Sequence, residues 1–376
     1  LVQSAFAGKP KDIISQSMAK ALYGEVSPYS ATRLERFAAC AFAHFLQYGM
    51  KLTERVEYEF KPMDMGNVMH EALESFAEEV RKRGMKWTEL TEQERNEIAD
   101  RCLDNVVADY GNTVLKSSAR NEYMIERTRR ILRRTVWALQ KQLEQGEFQP
   151  EGFEVTFGGG RIDRVDIMED QNKVYVKVID YKTGNTSFDL VYLYHGLQLQ
   201  LMIYLDGALR VEQKKYPDKE IIPAGVFYYN IKDPMIQEKI DADVEAVSAG
   251  LMKELKMNGL VQADPELVYR MDSSLGSIPV AFNKDGSFRK NSSVADRTQF
   301  AVLGRYVRTK IEKIRNSILE GDAEVSPYEL GKKNACTYCP YMTVCGFDRR
   351  LSGYEFRRLK NFSDEELWKA FDREAE

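Results

Sequence analysis

Apolar positions recur along the chain with two different periods, and the change between them divides it into a helical front, a β-rich middle and a mixed end. From Ser27, in SPYSATRLERFAACAFAHFLQYGM, residues Leu34, Phe37, Ala41 and Phe45 follow a helical spacing, with Ser30 placed to cap the start. Cys40 falls on this helix. After a short YEFKPMD segment, MGNVMHEALESFAEEV predicts a second helix capped by Asp64, with Met65, Val68, Met69, Leu73 and Phe76 as its apolar stripe. His70 and Glu74 are four apart and share a face of it. Residues 88–146 carry little besides helix signals and end in MIERTRRILRRTVWALQKQLEQG, where Arg127, Arg130 and Arg134 make one side basic and Arg129 and Arg133 another. Residues 1–26 are weakly patterned and read as a tether.

The period then falls to two. FEVTFGG, GRIDRVDIM and NKVYVKVIDYKTG read as strands, the last two joined by a polar turn at Glu169 to Lys173. Side chains on a strand alternate, so Asp180 and Lys182 point one way and Tyr181 the other. If the strands pair, Asp163 lies beside them, and two carboxylates with an ammonium in an apolar sheet are costly without compensation. A divalent cation is the simplest compensation. Asp166, three residues from Asp163, falls on the opposite face and is expected to pair with a nearby arginine. FDLVYLYHGLQLQLMIYLDGALRV predicts one long helix with Gln200 and Tyr204 on one side and His195 as a structural residue, and PAGVFYYNI predicts a further strand. Strand, strand, helix, strand around one sheet is an α/β arrangement. Residues 233–295 read as an insertion packed against the domain, helical through DADVEAVSAGLMKELKMNGLV and with a hairpin turn at NKDGS (283–287). A last helix, VADRTQFAVLGRYVRTKIEKIRNSILEG, leads to ACTYCPYMTVCGFDRR, and residues 361–376 read as a tail.

Composition sharpens this only in places. With 376 residues, 43% hydrophobic and 30% charged, the chain can bury a large core. No apolar run approaches the roughly 18 residues of a membrane span, and no signal peptide opens the sequence. It begins with Leu1 rather than Met, which reads as a piece of something longer. A net charge of −4 does not advertise nucleic-acid binding, although a local basic stripe could still bind phosphates. No GxxxxGK[ST] loop is present, so no ATPase site is visible. Three of the five cysteines form C-x2-C-x5-C at 336, 339 and 345, which here reads as a metal or cluster site rather than a disulfide framework. A reducing, cytoplasmic compartment follows. Cys102, and Cys40 taken alone, read as small buried hydrophobes.

In chain order the chemistry is His70 in GNVMH, Asp163 in GRID, Asp180 to Lys182 as DYK, and Gln200 and Tyr204 in QLMIY. These resemble the RecB-type branch of the PD-(D/E)XK nuclease superfamily, with its helical GxxxH, its GxxD and DYK strands and its QxxxY helix. Each motif is weak alone, and the specificity lies in their joint order. The resemblance covers about residues 27–360. It implies a restriction-endonuclease-like mixed sheet flanked by helices and a metal-dependent exonuclease acting on DNA. Mg2+ or Mn2+ would then be held by Asp163, Asp180, His70 and the backbone carbonyl of Tyr181, with Mn2+ favoured slightly by the imidazole. Lys182 would orient the attacking water or stabilise developing charge, while Gln200 and Tyr204 would position the DNA backbone or buttress Lys182.

One upstream cysteine and three near the end is the split of the family's iron–sulfur members, which makes Cys40 the fourth ligand beside Cys336, Cys339 and Cys345. Four thiolates suit zinc as well as a 4Fe–4S cluster, and only the resemblance favours the cluster. The resemblance further implies a helicase–nuclease partner subunit and duplex DNA ends as substrate, in recombinational repair. A free-standing nuclease of the CRISPR-adaptation type would be shorter, lacking segments 88–146 and 233–295. A non-catalytic DNA-end-binding scaffold would have no reason to keep Asp163, Asp180 and Lys182.

Overall fold

A computed structural model describes residues 13–24, 30–53, 62–109, 118–158, 160–236 and 243–375. Six strands form one mixed sheet in sequence order: β1 (Gln149–Phe157), β2 (Gly160–Asp170), β3 (Lys173–Lys182), β4 (Glu220–Asn230), β5 (Asn258–Gln262) and β6 (Val294–Ala295). The helices that cover it are α1 (Gln16–Tyr23), α2 (Ala31–Ala39), α3 (Pro62–Lys82), α4 (Glu92–Asp109), α5 (Ala119–Glu144), α6 (Gln200–Lys215), α7 (Arg297–Glu320) and α8 (Asp364–Ala375). The β2–β3 hairpin closes between Asp170 and Lys173, as the polar turn predicts. β3 and β4 are parallel, with α6 in the crossover between them.

The central strand β3 is apolar on both faces because both are covered. Val174, Val176 and Val178 pack with α1, α2, α6, α7 and α8, while Tyr175, Ile179 and Tyr181 pack with α3, α4 and α5. The expected ion pair of Asp166 is present on the second face. Arg164 Nε lies 2.6 Å and Lys177 Nζ 2.9 Å from its carboxylate, and all three residues are buried. The Arg164 guanidinium also stacks over the rings of Trp87 and Phe153. Replacing Asp166 with alanine would strand two buried cations. A loss of about 3–5 kcal/mol in denaturant unfolding is expected.

Several elements depart from the sequence reading. Residues 16–23 of the expected tether are α1, whose Ala19 and Tyr23 are buried in the core; residues 1–12 and 25–29, like most of the YEFKPMD segment, lie outside the described residues. The supposed tail contains α8, with Leu367 and Phe371 buried. Asp64 sits in the first turn of α3 rather than capping it. The helix around Cys40 is broken: Cys40 is extended (φ −166°, ψ 118°) between α2 and a short helix at Ala41–His44. The long helix expected after Phe188 is also two pieces, Leu190–Tyr194 and α6. The break falls at Gly196 (φ +78°), where a Cβ would come within 3.2 Å of Ala38. His195 is structural, with Nε2 2.8 Å from the carbonyl oxygen of Lys360.

The segment 233–295 is more than an appendage. Among the described residues of its expected helix only Val244–Glu254 is helical, and Asn258–Gln262 pairs antiparallel with β4 as β5, which β6 then extends. Gly259 sets this docking, since a Cβ there would meet the carbonyl oxygen of Val226 at 1.9 Å. The NKDGS turn is formed, the Asn283 amide donating to the Ser287 carbonyl. One basic face of α5 is consumed inside the protein, Arg129 pairing with Asp104 and Asp100 and Arg133 with Asp100, and on the other Arg130 pairs with Asp233.

Candidate active site

The motif residues converge where β2 and β3 part. The last paired residues there are Arg164 and Ile179, and one more step of the same register sets Asp163 against Asp180. The Tyr181 amide donates to Asp163 Oδ2 at 2.7 Å instead of to a neighbouring backbone. Tyr181's ring points to the opposite face and is buried there, as strand alternation requires. Lys182 Nζ lies 2.6 Å from Asp180 Oδ2 and donates to Gln200 Oε1 at 2.8 Å. Gln200 Nε2 in turn donates to the Tyr204 hydroxyl at 2.9 Å. Gln200 therefore contacts Lys182 directly, and Tyr204 contacts Gln200.

His70 comes from α3, a helix of the other layer, and its Nδ1 is 3.3 Å from Asp163 Oδ2. Burial alone would lower its pKa, but the hydrogen bond and charge of Asp163 outweigh this and raise it. The sequence reading missed a third acidic residue of the site, Glu154 on β1. The pairs Phe153–Arg164 and Val155–Ile162 bracket it opposite Asp163. Its backbone is in the left-handed region (φ 48°), which a residue with a Cβ rarely adopts. Ligand atoms of His70, Glu154 and Asp163 all lie within 4.8 Å of one another. The only trace of Glu154 in the sequence is an acidic residue inside the apolar run FEVTF.

This crowd of carboxylates is electrostatically unsatisfied. Burial, with the charge of Asp163, pushes the Glu154 carboxyl up to about 7, although Arg161 pairs with it and opposes the rise. Asp180 is raised for the same two reasons against the pull of Lys182. A set of oxygens and one imidazole nitrogen, carrying more negative than positive charge, suits a small divalent cation.

A second constellation joins the two ends of the described chain. Cys40, Cys336, Cys339 and Cys345 line one apolar cavity with Phe42, Tyr341 and Phe347, and none is in a disulfide. The extended break at Cys40 lets its thiol share that cavity. Burial, with the neighbouring thiols, pushes Cys336 up to about 12, and burial also raises Cys40. Four cysteines around one apolar space, whose thiolates would repel one another without a cation, fit a thiolate-bound metal group. Cys102 is elsewhere, buried among the helices of the other layer. Among the described residues no helix is long and apolar enough to cross a membrane.

The comparisons with known proteins agree with this geometry. The chain is 42% identical to the B-type subunit of the ATP-dependent helicase/deoxyribonuclease of Lachnoclostridium phytofermentans, over 100% of this chain and 34% of that protein. It is 35% identical to the protein of the same name from a Thermoanaerobacter strain, over 96% of this chain and 34% of that one. For Alkaliphilus metalliredigens the identity is 34%, over 100% and 35%. The chain thus spans about a third of the length of these relatives. Residues 28–346 match the family model of the PD-(D/E)XK nuclease superfamily. With that match covering most of its length, the chain belongs to the PD-(D/E)XK nuclease superfamily.

Proposed function

We propose that this chain is the metal-dependent nuclease part of an AddB-type subunit, hydrolysing phosphodiester bonds of DNA in a complex with an AddA helicase–nuclease subunit that processes duplex ends for recombinational repair. The observation that carries the reading is the convergence of four separated motifs on one spot, with Asp163 against Asp180 and Lys182 held by Gln200. Asp163, Asp180, His70 and the carbonyl of Tyr181 would hold Mg2+ or Mn2+, with Glu154 beside them. Those residues would place a divalent ion where it would lower the pKa of a bound water and offset charge on the phosphoryl oxygens. Lys182 supplies a donor whose direction is fixed by Gln200, and Tyr204 fixes Gln200. His70 Nδ1 lies 3.3 Å from Asp163 Oδ2, so ring and carboxylate already face one spot.

The cysteine cavity would hold a 4Fe–4S cluster through Cys40, Cys336, Cys339 and Cys345, clamping the two ends of the nuclease domain. Its donor set fits zinc equally, and the iron reading rests on the resemblance to the iron–sulfur branch. The test is made on the full-length protein purified anaerobically with its partner, the partner's own nuclease site disabled. The expected results are degradation of linear duplex DNA with Mg2+ or Mn2+ that EDTA stops, and a brown, iron-loaded protein. No metal-dependent cleavage would sink the nuclease reading, and a colourless, zinc-loaded protein the iron–sulfur one.

A further inference from the structure

The first turn of α6 carries Gln200, with Tyr204 one turn on, yet it has no cap of its own. Leu199 occupies the capping position, where a leucine side chain can accept nothing. The amides of Leu199 and Gln200 both donate instead to a single atom, Oε1 of Glu35, at 2.7 and 2.9 Å. Glu35 lies far earlier in the chain, on α2, the helix that ends at Cys40. Burial pushes its carboxyl up to about 7, opposed by these two amides and by Lys182, so it sits within electrostatic reach of the cutting centre. From the same turn, Gln200 bridges Lys182 and Tyr204. An unbroken series of contacts therefore runs from α2 through Glu35, the α6 amides and Gln200 to the ammonium of Lys182.

We propose that Glu35 is a positioning residue of the nuclease centre, fixing the first turn of α6 and, through Gln200, the direction of Lys182. The helix that delivers Cys40 to the cysteine cavity thereby also sets the geometry of cleavage. Without an acceptor, two amides away from bulk water would be left unpaired, which favours fraying of the turn and release of the Gln200 side chain. One oxygen accepts both bonds, so a glutamine at position 35 can replace the glutamate, whereas alanine cannot.

The proposal rests on the nuclease reading and is tested by a double-mutant cycle in the same full-length complex. Glu35→Ala is expected to lower kcat by about 10-fold or more with KM for DNA nearly unchanged, and Glu35→Gln to stay within about threefold of wild type. Glu35→Ala combined with Gln200→Ala should be no slower than Gln200→Ala alone, because the two act in series. Losses that multiply in the double variant, or a Glu35→Gln variant as slow as Gln200→Ala, would overturn it. Should Glu35→Ala fail to fold, Glu35→Gln still decides. Wild-type-like rate and slow hydrogen exchange at the Leu199 and Gln200 amides support the role, and a slow enzyme refutes it. A wild-type complex that does not cut DNA fails the nuclease reading itself, whereas a multiplicative cycle in an active wild type fails only this proposal.

Discussion

Asp180→Ala in the full-length complex, with the partner's nuclease site disabled, is expected to reduce metal-dependent cleavage of linear duplex DNA by about 10²–10³-fold or more. The residue has two attachments at once. It lies against Asp163 across the strands, and its Oδ2 is 2.6 Å from Lys182 Nζ. Removing it would deprive the proposed cation of a carboxylate and leave Lys182 with Gln200 and the face of the Tyr228 ring. The fold should survive, because the buried Asp180 carboxyl is held at a raised pKa by burial and by Asp163, so its charge destabilises the metal-free protein rather than supporting it. The checks are single-turnover cleavage, Mn2+ binding by calorimetry and thermal unfolding. Unimpaired cleavage would remove Asp180 from the site, whereas weakened Mn2+ binding at unchanged stability is the signature of a lost ligand.

The other large effect is expected at the cysteines. With the cluster proposed above in the cavity, Cys40→Ser should abolish bound iron and destabilise the protein by several kcal/mol, because the binding energy of a structural metal group is also folding energy. Without the group, the ends would still be held by helix packing in the core and by hydrogen bonds, among them that of the Ile14 amide to the Gly321 carbonyl at 3.0 Å. Phe42 donates to the Glu324 carbonyl and the Tyr341 hydroxyl to that of Leu52, each at 3.0 Å, and the Arg357 guanidinium donates to the carbonyl of Ala38. Cys102→Ser is the control: equally buried but among helices, it should leave metal content unchanged. Metal analysis and thermal unfolding of the two variants separate the cases. Iron retained in Cys40→Ser would exclude Cys40 as a ligand.

Much of the site was legible because strand periodicity is a rigid rule. GRIDRVDIM and VKVIDYKTG could only place Asp180 with Lys182 and turn Asp166 away from Asp163, and Asp166 is found where that rule sends it, between Arg164 and Lys177. The His70, Gln200 and Tyr204 motifs lie on short helical spacings that are equally strict. The helix breaks at Cys40 and Gly196 were not legible. Both segments keep an apolar helical pattern, and it is the approach of Ala38 to Gly196, a contact between distant residues, that requires one of the turns. β5 was hidden for a similar reason. A short apolar run such as NGLVQ carries no period that separates strand from helix, and only the free edge of β4 decides.

The sequence by itself determined the α/β class, the hairpin that carries Asp163, Asp180 and Lys182, and the cysteine triad at 336, 339 and 345, because these follow from local spacing and residue chemistry; Cys40 joined the triad only through the family resemblance. Tertiary structure alone decided that Glu154 joins His70 and Asp163, that Glu35 caps the helix behind Lys182, and that Cys40 shares a cavity with three thiols from the other end of the chain. Each of these depends on register or on packing between elements far apart in the chain. No window of sequence records such a distance; it exists only once the sheet has paired and its two faces are covered.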